Sequence, residues 1–270
     1  MYEIGKATNV GIKRKDHPNQ DNIGVVLPGL FNHKPPLFIV ADGMGGYEGG
    51  AIASQIVVNT LEHEYKKSKK QKDYQDLLQK IIIDSHNAIK KRIINNPEIA
   101  KMGSTVVAVI LEGKNLYIGN VGDSRAYLIN KQEIKQVSWD HSFVGELVRQ
   151  GTITTEQGLV HPKRNILTMS ITAQRPDINP YINKIECNEN DLVLLCSDGL
   201  WGTVGADKIF TTVLSMPPQE AADKLVELAN NNSGPDNISV IIATKKTAEK
   251  IFAKPKTKKG LPEINQTVPN

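Results

Sequence analysis

Apolar positions along the chain recur with two different spacings. Short continuous apolar runs predict strands at residues 2 to 8, 22 to 27 and 37 to 42. The third run, Leu37 to Asp42, has β-branched Ile39 and Val40 at its centre and the length of a buried strand. After it the spacing lengthens. Ile52, Ala53, Ile56, Val57, Leu61 and Tyr65 form one stripe of a helix running to about residue 66. Leu77, Leu78, Ile81, Ile82, Ala88, Ile89 and Ile93 form another, ending near Asn95-Asn96-Pro97. The lysine-rich stretch KKSKKQKD between them reads as a solvated break.

From Met102 the spacing shortens again. TVVAVIL, LYIGN, RAYLIN and IKQVS are four short strands, joined by Glu112-Gly113-Lys114, a Gly122-Asp123 turn and Asn130-Lys131. Such connections suit an antiparallel meander. Residues 142 to 180 are less regular. A short helix, SFVGELVRQ, stops at Gly151, a C′ residue, and the rest reads as a surface flap. Strands return at 181–186 and 191–196, helices follow at about 206–214 and 218–230, and a strand at 238–243 closes the chain's pattern. Strands thus come in two blocks, each followed by two helices. Short turns between consecutive strands imply antiparallel sheets with helices on their outer faces, an α+β class. No internal repeat is evident.

Composition narrows the partners. The 39% hydrophobic and 23% charged residues are those of an ordinary globular protein. No apolar run approaches the ~20 residues of a membrane span, and the N-terminus lacks the basic and apolar regions of a signal peptide. Cys187 and Cys196 are too few for a disulfide framework and read as free thiols of a reducing cytoplasm. The net charge is +4, but seven Lys and two Glu after residue 244 supply +5, leaving −1 for the rest. A near-neutral body argues against a nucleic-acid-binding domain, and 245–270 reads as a basic, disordered tail.

The candidate chemistry lies where strands end. LFIVADGMGGYEGG, residues 37 to 50, ends its strand on Asp42 and then places five glycines within eight residues before a helix. Asp-Gly alone is ordinary turn chemistry. It recurs, however: DLVLLCSDG ends on Asp198-Gly199, Gly234-Pro235-Asp236-Asn237 and Asn19-Gln20-Asp21-Asn22 precede strands, and Val121-Gly122-Asp123-Ser124-Arg125 joins two. Clustered carboxylates without His or Cys in their motifs are the ligand set of a hard cation such as Mg²⁺ or Mn²⁺. A pair of such ions serves displacement at phosphorus, where charge and positioning matter more than a protein nucleophile. No Gly-x-Ser-x-Gly elbow, Cys-x-x-Cys or P-loop lysine competes.

NQD at 19–21, ADGMGG at 41–46, GST at 103–105, VGDSR at 121–125, DHS at 140–142, CSDGL at 196–200 and GPDN at 234–237 together resemble the bacterial type-2C metal-dependent serine/threonine protein phosphatases. The order and spacing match along residues 1 to 244; the tail is not covered. The resemblance implies one phosphatase domain over 1–244, a β-sandwich of two antiparallel sheets flanked by helices, with a flap at about 142–180. It implies that Asp42 bridges two Mn²⁺ or Mg²⁺ ions, with the Gly43 carbonyl completing one sphere. Asp198 and Asp236 would serve the first ion, Asp21 the second through water, and Asp123 a third, weaker site shared with Asp198. The phosphate-binding Arg usually stands five residues before the Asp matching Asp21; here Arg14 stands seven before. Arg14 is the expected phosphate clamp, with Lys15 and His17 as alternatives. Met44 stands where eukaryotic members often carry a His acid. His141 is expected to order the start of the flap, and Ser124-Arg125 to anchor a turn.

Phosphoserine and phosphothreonine proteins are the implied substrates, in opposition to a bacterial serine/threonine kinase, by a cytoplasmic monomer. Three other functions compete with this one. A dinucleotide module fails because Gly43, Gly45 and Glu48 break Gly-x-Gly-x-x-Gly. A catalytically silent phosphatase-like scaffold would lack a ligand Asp, yet all are present. A dehalogenase-type phosphohydrolase needs two Asp spaced one apart, which Asp42-Gly43-Met44 does not supply.

Overall fold

The computed structural model describes residues 2–29, 34–46 and 48–245; the expected basic tail beyond residue 245 lies outside them. In chain order the strands and helices begin with β1 (Glu3–Asn9), β2 (Asp21–Val26), β3 (Leu37–Met44), α1 (Gly49–Lys67) and α2 (Gln75–Asn95). A strand-rich stretch follows: β4 (Gly103–Ser104), β5 (Val106–Glu112), β6 (Asn115–Val121), β7 (Arg125–Ile129) and β8 (Ile134–Gln136). The expected flap holds α3 (Phe143–Arg149), α4 (Thr155–Leu159) and β9 (Ile171–Thr172). Then come β10 (Tyr181–Glu186), β11 (Leu192–Cys196), α5 (Asp198–Trp201), α6 (Ala206–Ser215), α7 (Pro218–Asn231) and β12 (Ile238–Thr244).

Among the described residues the strands form two antiparallel sheets, ordered β1-β12-β11-β7-β8 and β10-β6-β5-β3-β4-β9, with β2 pairing β3. Alternate residues of each central strand therefore enter different cores. Leu37, Ile39 and Ala41 of β3 pack under α1 and α2, whereas Phe38 and Val40 face Val193, Leu195 and Ile241 across the sandwich. On the far side Leu192, Leu194 and Ile242 pack under α6 and α7 with Ile209, Val213 and Leu225. Burial on both faces is why these strands read as unbroken apolar runs rather than as alternating ones.

Two expectations change. The four strands after Met102 are not one meander: β5 and β6 stay in the larger sheet, while β7 and β8 belong to the smaller. The chain crosses between sheets at Gly122, whose φ of +97° lies in the left-handed region that glycine tolerates best. Nor is the whole of 142–180 surface. Ile171 is fully buried and β9 pairs with β4, so the flap proper ends before it. The one-turn helix α5 lies where the apolar spacing predicts no helix. No described helix is long and apolar enough to cross a membrane.

Candidate metal centre

Strand pairing brings the acidic turns to one end of the sandwich. Asp21, at the start of β2, lies opposite Asp42 in the β2–β3 ladder. Asp198 opens α5 directly after β11, and Asp236 precedes the adjacent β12. Asp123 lies in the crossover between β6 and β7. The helix start behind Asp42 is packed backbone to backbone. A Cβ on Gly43 would stand 2.0 Å from the Gly50 carbonyl oxygen, so glycine is required for β3 to end this close to α1.

These residues border a cleft of about 620 Å³ lined by Asp42, Gly43, Asp123, Asp198 and Asp236, together with Arg14 and His17. Asp21 does not line it. It lies beneath, 5% exposed, and accepts a hydrogen bond from Ser197 Oγ at 2.7 Å through Oδ2. Lys15 is not among the lining residues, but Lys13 is, as are Gln20, Thr105 and Asn165, none of which sequence reasoning singled out as site residues. Lys13 is brought in by its backbone N–H, which donates to the Gly234 carbonyl at 3.0 Å, a contact between segments far apart in the chain. Thr105 had a signal, the Gly103-Ser104-Thr105 motif.

The electrostatics are those of a cation site. Burial pushes the Asp21 carboxyl up to about 7, with Asp198 and Asp236 adding repulsion against the lowering hydrogen bond of Ser197. Burial, then Asp236, raises Asp198 to about 6. Asp42 stands well above the usual carboxylate range, through burial first and then repulsion from Asp21, Asp198, Asp123 and Asp236. Asp123 is raised likewise, by burial and then by Asp198 and Asp140. Two acid oxygens, Asp21 Oδ1 and Asp198 Oδ1, are buried without a hydrogen-bond partner. An ionised carboxylate is acceptor-only, so such an oxygen calls for a cation or a proton. No three His, Cys, Asp or Glu among the described residues enclose a cation unaided. The all-carboxylate donor set and its two unpartnered oxygens suit a hard cation that keeps several waters, as Mg²⁺ does, and the residues fit the implied Mn²⁺ or Mg²⁺.

Neighbouring cations are largely committed. Arg14 Nη2 donates to Asp236 Oδ2 at 3.0 Å. Arg125 grips Asp140 through Nε at 3.0 Å and Nη2 at 2.7 Å, with its guanidinium 3.5 Å from the centre of the Trp201 ring. Trp201 Nε1 in turn donates to the Asp123 carbonyl at 3.0 Å. His141 ties the start of the 142–180 segment to the Gly122 turn and to Thr168. Its N–H donates to the Gly122 carbonyl at 2.9 Å, its Nδ1 accepts from Gly122 N–H at 3.2 Å, and its carbonyl accepts from Thr168 N–H at 2.9 Å. Burial first, then Arg149, keeps its imidazole below the usual histidine range.

The sequence profile of the protein phosphatase 2C family matches residues 11–231. The chain is 34% identical over 210 residues to the serine/threonine protein phosphatase PstP of Mycobacterium tuberculosis, covering 77% of this chain and 40% of PstP. It thus spans about two fifths of that relative's length. It is 33% identical over 241 residues to the serine/threonine phosphatase stp of Listeria monocytogenes, covering 87% of this chain and 93% of stp. Its fold superposes with a TM-score of 0.77 and 30% identity on the crystal structure of the catalytic domain of PstP in complex with two manganese ions, covering 90% of this chain and 97% of that one.

Proposed function

The chain belongs to the protein phosphatase 2C family, and from that premise we propose that it hydrolyses phosphoserine and phosphothreonine in proteins with bound Mn²⁺ or Mg²⁺. The observation that carries the reading is the convergence of Asp21, Asp42, Asp123, Asp198 and Asp236 at one end of the sandwich, with two buried acid oxygens unpartnered. In this reading Asp42, Asp198, Asp236 and the Gly43 carbonyl would hold the paired ions, Asp21 would support them through water, and Asp123 with Asp198 would hold a third, weaker one. When bound, the ions supply Lewis acidity at the phosphoryl oxygens and lower the pKa of the attacking water.

The chain's own groups do the rest. Arg14 turns its planar fork from Asp236 to two phosphate oxygens, fixing the monoester with phosphorus toward the carboxylates. His17, on the cleft wall, is the alternative clamp and a candidate proton donor to the leaving serine or threonine oxygen. The ester P–O bond breaks, water supplies the new P–O bond, and its protons pass to the alcohol and the phosphate. Residues 1–244 form the phosphatase domain in this proposal, with a flap that starts at about residue 142 and ends before β9. The substrates are phosphoproteins of a bacterial serine/threonine kinase. The buried free thiols Cys187 and Cys196 support a reducing cytoplasm, and we propose a monomer there.

The test is hydrolysis of p-nitrophenyl phosphate and a phosphothreonine peptide with Mn²⁺, with EDTA, and by Asp198→Asn. Activity is expected only with metal, and Asp198→Asn is expected to lose at least about a hundredfold in kcat. Full turnover in chelator would overturn the metal-dependent reading. Phosphopeptide binding without turnover in Mn²⁺ would favour the silent scaffold instead.

A further inference from the structure

The Gly103-Ser104-Thr105 motif and the Ser124 that follows Asp123 are well separated in the chain. In the fold they meet. β3 pairs with β5 as far as Val40↔Val107 and with β4 from Gly43↔Ser104, so Asp42 falls where its neighbouring strand is interrupted. Thr105 fills that interruption. Its N–H donates to the Asp42 carbonyl at 2.8 Å, and the Asp42 N–H donates to Thr105 Oγ1 at 3.0 Å. Ser104 Oγ donates to the same carbonyl at 3.1 Å. The same Thr105 Oγ1 lies 2.7 Å from Ser124 Oγ, and either hydroxyl can donate. The Thr105 methyl closes on the turn as well: a Cβ on Gly122 would stand 2.6 Å from Thr105 Cγ2. Thr105 is 2% exposed and Ser124 fully buried, so water does not compete for these bonds.

We infer that Thr105 is a positioning residue: its hydroxyl ties the Asp42 strand end to the Asp123 turn, so that carboxylates from two separate elements meet a divalent cation in one fixed arrangement. The inference rests on the metal-dependent reading above. Its physical basis is that Asp42 and Asp123 belong to separate elements, and such a pair keeps one spacing only if something other than their own side chains holds their backbones. Here one buried hydroxyl does so from both sides. Without it the turn keeps its bonds to His141 and Trp201 but loses its hydroxyl tie to the Asp42 strand, and a cation must bring the two carboxylates into register itself. Hydrogen bonds that orient metal ligands are worth about 10–100-fold in metal affinity.

The experiment is calorimetric titration of Mn²⁺ into the metal-free full-length chain. It compares wild type, Thr105→Ser, Thr105→Val, Ser124→Ala and the Thr105→Val/Ser124→Ala double variant, with metal-free melting temperatures in parallel. Thr105→Val, which keeps the shape and removes the hydroxyl, is expected to weaken Mn²⁺ binding at least about 10-fold, and Thr105→Ser to stay within about 3-fold of wild type. Ser124→Ala breaks the same link from its other end and serves should Thr105→Val fail to fold. The double variant is expected to bind no more weakly than the worse single variant, the mark of one shared interaction. Unchanged Mn²⁺ binding in Thr105→Val and in Ser124→Ala overturns the inference. So do equal losses in Thr105→Ser and Thr105→Val, or strictly additive losses in the double. A wild-type chain that takes up no Mn²⁺ overturns the metal-dependent reading and this inference with it. Normal binding by wild type, Thr105→Val and Ser124→Ala overturns this inference alone.

Discussion

Arg14 is already engaged before any phosphate arrives, but its partner holds it weakly. Both side chains of the Arg14–Asp236 pair are more than a third exposed, at 39% and 36%, so water screens the attraction. A phosphoserine dianion, mostly doubly charged at pH 7, offers the guanidinium two oxygens at once. Arg14→Ala is therefore expected to raise KM about 10-fold or more, the worth of a hydrogen bond to a charged group, with a smaller loss in kcat. Lys15 is absent from the cleft lining, so Lys15→Ala should behave as wild type, while His17→Ala tests the alternative clamp. Kinetics and pH profiles of the three variants decide among them. Wild-type KM in Arg14→Ala together with a lost limb of the profile in His17→Ala would move the clamp to His17. Arg14 was legible as a candidate because it is the only Arg in the first ninety residues. Lys13 was not, because a lysine in a basic loop looks the same whether it faces the cleft or the solvent.

β3 and α1 meet at a point where neither has room for a side chain. Gly43 is buried, its backbone N–H donates to the Gln20 carbonyl at 3.1 Å, and its missing Cβ leaves space for the Gly50 carbonyl. Gly43→Ala would push the strand end from the helix start and carry Asp42 with it. Overpacking of this kind costs about 1–3 kcal/mol, which lowers Tm by several degrees in a chain of this size. The expected outcome is a lowered Tm together with weakened Mn²⁺ binding. Gly46→Ala is the contrast: a Cβ there meets nothing within 4 Å, and only its φ of +84° opposes the change. It should cost about 1–2 kcal/mol of local strain and spare Mn²⁺ binding. Equal effects on metal in the two variants would mean that the β3–α1 contact does not place Asp42. The glycine run was conspicuous in the sequence, but which glycine is required by contact and which by backbone angle depends on what lies opposite each.

The cleft also sets how the whole domain responds to pH. Asp21 and Asp198 titrate at about 7 and about 6 in the fold, above the ordinary carboxylate value they take in the unfolded chain. A raised folded-state pKa means that the native protein binds more protons than the unfolded chain between the two values. The stabilisation is therefore fully present below about pH 4 and is lost as pH rises through about 6 to 7. In EDTA the melting temperature should fall between pH 5 and pH 8, as these carboxylates ionise against one another. Excess Mn²⁺ should raise Tm most at the upper end, since it binds the ionised form. Scanning calorimetry across pH with and without Mn²⁺ checks this. A metal-free Tm that rises across the window would show that the acidic cluster is not under electrostatic strain. Asp21→Asn should flatten the metal-free slope.

Local chemistry wrote much of this protein into the order of its residues. Leu37 to Val40 had to be a strand buried on both faces, the stripe from Ile52 to Tyr65 had to be a helix, and each candidate Asp had to stand in or beside the end of a strand. Such features depend on neighbours within a few residues, and a period of two or of 3.6 declares them. What lay beyond that reach came from pairing between distant segments. The register that sets Asp21 opposite Asp42, the crossing of the chain between sheets at Gly122, the return of Ile171 to the core and the bond between Thr105 and Ser124 are all of this kind. Each joins residues whose local patterns are complete without the other. Five acidic turns could thus be counted along the chain, but only burial of the shared cores carries them to one end of the sandwich.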